Sequence, residues 1–219
     1  YTTPGDTNPL YDEDHRFHQL HADRPGMSRK LQKGLYEPLL CSDCEIKLSR
    51  FERYASQIIL HRSNIEVIER TKSYFIRGID YTNFKLFQLS ILWRASVSDL
   101  EFFERVKLGP HEERIRKMIL CEDPGPPTKY SCVVTTLTAG QAVPEDLIIN
   151  PVSFKYQGHR FYRFMFLATG WLFHADSQAP PAFHKILSVS EKGTMIVMKV
   201  DLQEIGWFEK MLRGFSDVR

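Results

Sequence analysis

Apolar positions recur at helical spacing through much of the first 123 residues and then alternate with a period close to two. From Ser42 onward Ile46, Leu48, Phe51, Tyr54, Ala55, Ile58 and Ile59 mark one face of a helix. Ser42 or Asp43 would cap it, with Glu45 completing a capping box. Tyr81 to Ala95 is apolar almost all round, which predicts a buried core helix started by Asp80. Ser98-Asp99 would cap a short helical stretch through Phe102, Phe103 and Val106. A further helix runs from Pro110 to about Leu120, with Glu112 and Glu113 ahead of Arg114, Arg116 and Lys117, an order that complements the helix dipole.

Asp123-Pro124-Gly125-Pro126-Pro127 breaks this pattern. Beyond it, strands are expected at Tyr130–Leu137, Leu147–Val152, Phe161–Leu167, Trp171–Ala175 and Thr194–Val200. Gln157-Gly158 would close a hairpin, and Thr169-Gly170 would divide the next two strands. Asp201 would cap a final helix with Ile205, Phe208 and Leu212 on its buried stripe. Ahead of Ser42, residues 1–14 read as irregular and the stretch around His15, His18 and His21 as a weak strand. Residues 22–34 read as a basic loop and Leu35–Leu40 as a strand leading into Cys41. The expected fold class is α+β, a helical N-terminal half with a zinc-knuckle-like segment followed by a mainly antiparallel β half with a C-terminal helix. The boundaries expected are 1–60, 61–123 and 128–219.

A net charge of +2 is too near balance to announce nucleic acid by itself, so any such surface has to come from local clustering. No apolar run approaches the roughly 18–20 residues of a membrane span. The longest candidate, Phe161 to Phe173, is interrupted by Arg163 and Gly170. With four cysteines, two of them spaced C-x2-C, a reduced thiol set and a cytoplasmic location are expected.

The densest chemistry lies at Cys41-Ser42-Asp43-Cys44. Two thiolates at this spacing can face one ion, and the helix start beside them lowers a thiol pKa, so Cys41 and Cys44 are candidate ligands of a structural zinc. The remaining ligands are open. Cys121 and Cys132 are separated by the proline-rich break, and His15, His18 and His21 sit three apart beside Asp12, Glu13 and Asp14. His15 in that setting could serve a divalent metal such as Mg used hydrolytically. Arg50, Arg53 and Arg62 give the region after the cysteines a basic bias that could contact phosphates. His61, His111, His159, His174 and His184 are scattered along the chain, and each reads alone as a surface or hydrogen-bonded histidine. Phosphate-binding glycine loops and the G-x-S-x-G nucleophile pattern are absent from the sequence.

The segment Gln32-Lys33-Gly34-Leu35-Tyr36-Glu37-Pro38-Leu39-Leu40-Cys41-Ser42-Asp43-Cys44-Glu45, with Ser49-Arg50-Phe51-Glu52-Arg53-Tyr54, resembles a bacterial protein family related to HNH endonucleases. In that family an earlier C-x2-C and a Ser-His-Ile-Ile-Pro segment precede a Leu-Leu-Cys-x-x-Cys-Glu knuckle. The resemblance implies that Cys41 and Cys44 form the second half of a structural zinc site whose first half lies upstream of Tyr1. It places the metal-activating histidine upstream as well. Where HNH nucleases commonly carry a histidine soon after the second pair, this chain has Glu45, Ile46, Lys47 and Leu48.

The function expected on this reading is an HNH-like zinc protein that binds or cleaves nucleic acid, in defence against phage or mobile elements. As a metal-dependent endonuclease it would use His15 and Glu45 as catalytic groups. The alternative is a non-enzymatic module, pinned by structural zinc, that binds a protein, a ligand or a second copy of itself.

Overall fold

The computed structural model describes residues 17–20, 28–31, 37–138 and 147–201. The fold is α+β, built on one nine-stranded, mainly antiparallel sheet with strands in the order β2-β1-β6-β7-β8-β5-β9-β4-β3. These are β1 (Phe17–Leu20), β2 (Ser28–Leu31), β3 (Glu66–Glu69), β4 (Ser73–Arg77), β5 (Cys132–Thr138), β6 (Leu147–Tyr156), β7 (His159–Phe166), β8 (Thr169–His174) and β9 (Thr194–Asp201). Among the described residues only β1–β6 and β5–β9 pair in parallel. The helices are α1 (Ser42–Ile59), α2 (Tyr81–Val97), α3 (Pro110–Leu120) and α4 (Ala182–Leu187).

The helices form where the periodicity places them. Asp80 caps α2, its carboxylate accepting from the Asn83 N–H at 3.0 Å. Phe84, Leu86, Leu89 and Leu92 are buried on this helix, as an all-round apolar helix requires. At α1 the cap differs from expectation. Cys41 itself is the N-cap, one residue before Ser42, and a Ser42–Glu45 capping box does not form. The stretch 37–41 carries no strand. Around Ser98 the expected short helix is a 3-10 turn at Glu101–Phe103, with the Ser98 hydroxyl accepting from the Leu100 N–H.

The sheet departs from a helical half followed by a β half. The β3–β4 hairpin comes from the first half yet joins the far end of the sheet, where β4 pairs with β9. Its half-buried residues give a weak alternation, so its strands read faintly in sequence. One hydrophobic cluster draws on both sides of the 124–127 segment, from Leu48, Phe51 and Leu89 to Tyr162, Trp171 and Phe173. The Asp123 carboxylate accepts from the Gly125 N–H at 2.9 Å, turning the chain between α3 and β5.

Register assigns the two faces of the sheet. Tyr162, Phe164, Trp171, Phe173, Cys132 and Val134 share the face carrying the large core, where the Phe84 ring lies 6.2 Å from Trp171. The opposite face carries Phe161, Val133 and Leu172, packed with Phe154, Tyr156, Phe183 and Leu187. The second face therefore has a smaller core, covered by α4. Residues 202–219, where a terminal helix was expected, lie outside the described residues. Among the described residues no helix is long and apolar enough to cross a membrane.

Candidate metal centre

Two hairpin turns place the groups that matter. Gln157 (φ 50°) and Gly158 (φ 83°) close β6 onto β7, as their residue types predict. The next turn is formed by Leu167 (φ 52°) and Ala168 (φ 50°), two residues before the expected Thr169-Gly170. That shift sets the register. It pairs Phe161 with His174 across β7 and β8. Two positions further along each strand, His159 comes opposite Asp176.

These three polar groups meet at the rim of the small core. His159 Nδ1 lies 3.2 Å from His174 Nε2 and 3.4 Å from Asp176 Oδ2, and His174 Nε2 lies 3.2 Å from Asp176 Oδ1. One donor atom from each residue falls within 4.8 Å of the others. Asp176 is held rigidly, accepting from the Arg160 N–H at 3.0 Å and the Gln178 N–H at 2.7 Å. It thus ends the β7–β8 ladder while keeping its oxygens against both imidazoles. The His174 side chain is 1% exposed, whereas His159 and Asp176 are 15% and 17% exposed, so the cluster opens to solvent on one side.

Electrostatics prepare the same groups. Burial holds His174 below the ordinary imidazole range, and His159 adds to this against the pull of Asp176. Burial would raise Asp176, but the Arg160 and Gln178 N–H groups and the two imidazoles hold its carboxyl below the usual range. Neutral His174 beside ionised Asp176 is the protonation state a divalent ion requires of its ligands. Two imidazoles and one carboxylate suit zinc, iron, cobalt or nickel better than magnesium, which favours oxygen donors.

A second layer lies behind them. His184 on α4 is fully buried, its Nδ1 2.9 Å from Ser131 Oγ, and burial pushes it down to about 3. His111, at the start of α3, has Nδ1 3.0 Å from the Tyr130 hydroxyl. Burial and then Arg114 lower it, while Asp176 acts in the opposite sense. Histidines that look scattered in sequence therefore gather here, His159 and His174 against Asp176 and His184 beside His174.

The residues singled out from the sequence lie elsewhere. Cys41 and Cys44 occupy the N-cap and the third position of α1, where N-cap and N3 side chains face one another. The backbone N–H and thiol of Cys44 lower the Cys41 thiol pKa, and the Cys41 thiol in turn raises that of Cys44. Cys44 lines a groove with Leu48, Trp93 and Ile119. Among the described residues no third donor joins the two cysteines within reach of one ion. Glu45 is exposed on the first turn of α1. Arg50 is paired with Glu122, while Arg53 and Arg62 are exposed. His15 lies outside the described residues, as do His21 and the side chain of His18.

Compared with protein-family models, curated proteins and solved structures, the chain matches none of them.

Proposed function

We propose that this chain binds one divalent transition-metal ion at His159, His174 and Asp176 and uses it as a hydrolytic centre. The observation that carries this reading is the convergence of three ligand-competent atoms within 4.8 Å, from two strands and the loop after β8. Three protein donors leave coordination positions open to water or substrate, as catalytic ions require and structural four-ligand sites do not. The ladder-ending role of Asp176 needs only its backbone partners. The side chains of His159 and His174 have no such duty, yet both face the same carboxylate. Zn(II) titration followed by calorimetry, with Co(II) absorption as a second probe, tests the reading. One equivalent should bind, and D176N and H159Q should abolish it. Equal binding by D176N would place the ion elsewhere.

A second reading keeps the nucleic-acid function implied by the HNH resemblance. It is favoured by the facing thiols of Cys41 and Cys44 at the start of α1, which could share a structural zinc with ligands outside the described residues. All four cysteines are free thiols. Arg53 and Arg62, exposed near this helix, would supply phosphate contacts. On this reading DNA affinity falls steeply with salt, and removing either arginine reduces the slope by about one. Binding that ignores salt would rule it out.

A further inference from the structure

The metal centre has an unfinished side. His174 commits Nε2 to His159 and Asp176, so as a ligand through Nε2 it must carry its proton on Nδ1. That Nδ1 is buried and has no partner among the described residues. His184 shows the complementary condition. Its Nδ1 faces Ser131 Oγ, and its Nε2 is buried without a partner. The two rings lie 6.0 Å apart between centroids, in the same apolar layer. Phe161 forms the wall of that layer, with its ring 5.5 Å from His174 and 5.2 Å from His184.

The placement follows from register. Cys132 pairs with Phe173, and the His174 N–H donates to the Ser131 carbonyl at 2.9 Å, so Ser131 and His174 are neighbours across β5 and β8. Helix α4 then sets His184 over this pair, anchored on Ser131. A ligating histidine is ordinarily held by a hydrogen bond from its other ring N–H, which settles tautomer, ring orientation and basicity. In this chain His184, an imidazole already fixed by a serine, offers a buried unpaired acceptor nitrogen in the same layer.

We propose that His184, anchored by Ser131, is the positioning residue of the metal centre, accepting the Nδ1–H of His174 at its own Nε2. The contact closes by a small rotation of either ring or through one buried water, a bridge that serves nearly as well as a direct bond. His184 then donates its Nδ1–H to Ser131 Oγ. No proton is gained or lost overall. The arrangement orients His174 toward the ion and keeps it in the tautomer that leaves Nε2 free.

This inference rests on the metal reading above, and the experiment separates the two. Zn(II) affinity is measured for the full chain and for H184F, H184Q and S131A. In parallel, 15N-edited NMR of the histidine rings assigns the tautomer of His174. The wild-type protein should bind one Zn(II) and show a slowly exchanging His174 Nδ1–H. H184F should lose roughly 10–100-fold in affinity along with that signal, the usual effect of losing an outer partner of a ligating histidine. H184Q, whose amide oxygen can stand near the Nε2 position, should recover most of the affinity, and S131A should lose less than H184F. A wild-type protein that binds Zn(II) with His174 protonated on Nε2, or an H184F that binds equally well, overturns the role of His184 and leaves the metal centre standing. Absence of Zn(II) binding by the wild type overturns both. If H184F does not fold, the wild-type tautomer and the H184Q and S131A affinities decide the question.

Discussion

Lys85 places an amine in a core that gives it the Tyr130 carbonyl as acceptor, at 2.5 Å. The residue is 1% exposed, and desolvation lowers its pKa to about 8, against an upward pull from the Cys132 thiol. Between about pH 8 and 10.5 the unfolded chain keeps a proton on this amine that the folded chain has released. Its contribution to stability is therefore full above pH 10.5 and is lost as pH falls to about 8. Urea unfolding should show the stability difference between wild type and K85M rising by up to about 1.4 kcal/mol per pH unit from pH 8 toward 10, which isolates the amine from the oppositely acting Cys132 thiol. A K85M curve parallel to wild type over that range would show that the amine does not titrate there. At the site, Asp176 supplies the negative charge between two imidazoles. D176N should abolish Zn(II) binding at this site, a larger loss than the roughly 10–100-fold that an outer partner is worth. The readout is calorimetric affinity, with the melting curve as a check on folding.

The elements carry the clearest test of local strain. Leu167 and Ala168 both adopt left-handed backbone angles in the β7–β8 turn, where glycine or asparagine would ordinarily stand. A168G should raise stability by about 1 kcal/mol, because a left-handed non-glycine residue costs roughly 1–2 kcal/mol. In the neighbouring turn Gly158 already has the suitable residue type, so G158A should lose a similar amount. Thermal melts of the pair, with shifts of opposite sign, check both statements, and a loss on A168G would contradict the strain argument. At α2, D80A should cost about 1 kcal/mol through loss of the Asn83 N–H bond. Replacement by Ser should restore most of it.

This same turn explains what the sequence concealed. Helices α1, α2 and α3 were legible because apolar spacing agrees with their packing, helped by the Asp80 cap of α2 and by acidic first turns in α1 and α3. The β6–β7 hairpin was legible because Gln157-Gly158 is a recognisable turn. Thr169-Gly170 offers the same kind of signal, yet Gly170 stands inside β8, where a Cβ would come within 2.5 Å of Thr135 Oγ1. Its glycine serves a close strand approach, and the bend falls to Leu167-Ala168. Moving the turn by two residues changes every cross-strand partner, so His159, His174 and Asp176 meet only in the true register. His184 was hidden differently, since α4 lies after Pro180-Pro181 and is too short to show a period. Cys41 and Cys44 were visible because their spacing is local. A site assembled across strands leaves no such mark.

The whole molecule places unequal cores on the two sides of one sheet. The larger, under α1, α2 and α3, contains Trp171, Phe173 and Tyr162 and supplies most of the buried apolar surface. The smaller, under α4, holds Phe161, Val133 and Leu172 and frames the histidines. Burial lowers His174, and the same sheet rim leaves His159 and Asp176 partly open to solvent. Stability and chemistry are thus assigned to opposite faces, joined through Ser131 and Cys132, which point to different sides of β5. The most direct test of this account is Zn(II) titration of the full chain by calorimetry beside H159Q and D176N. The account predicts one equivalent bound by the wild type and none at that site in either variant, with all three proteins folded. Zn(II) binding that is unchanged in both variants, or absent from the wild type, would contradict it.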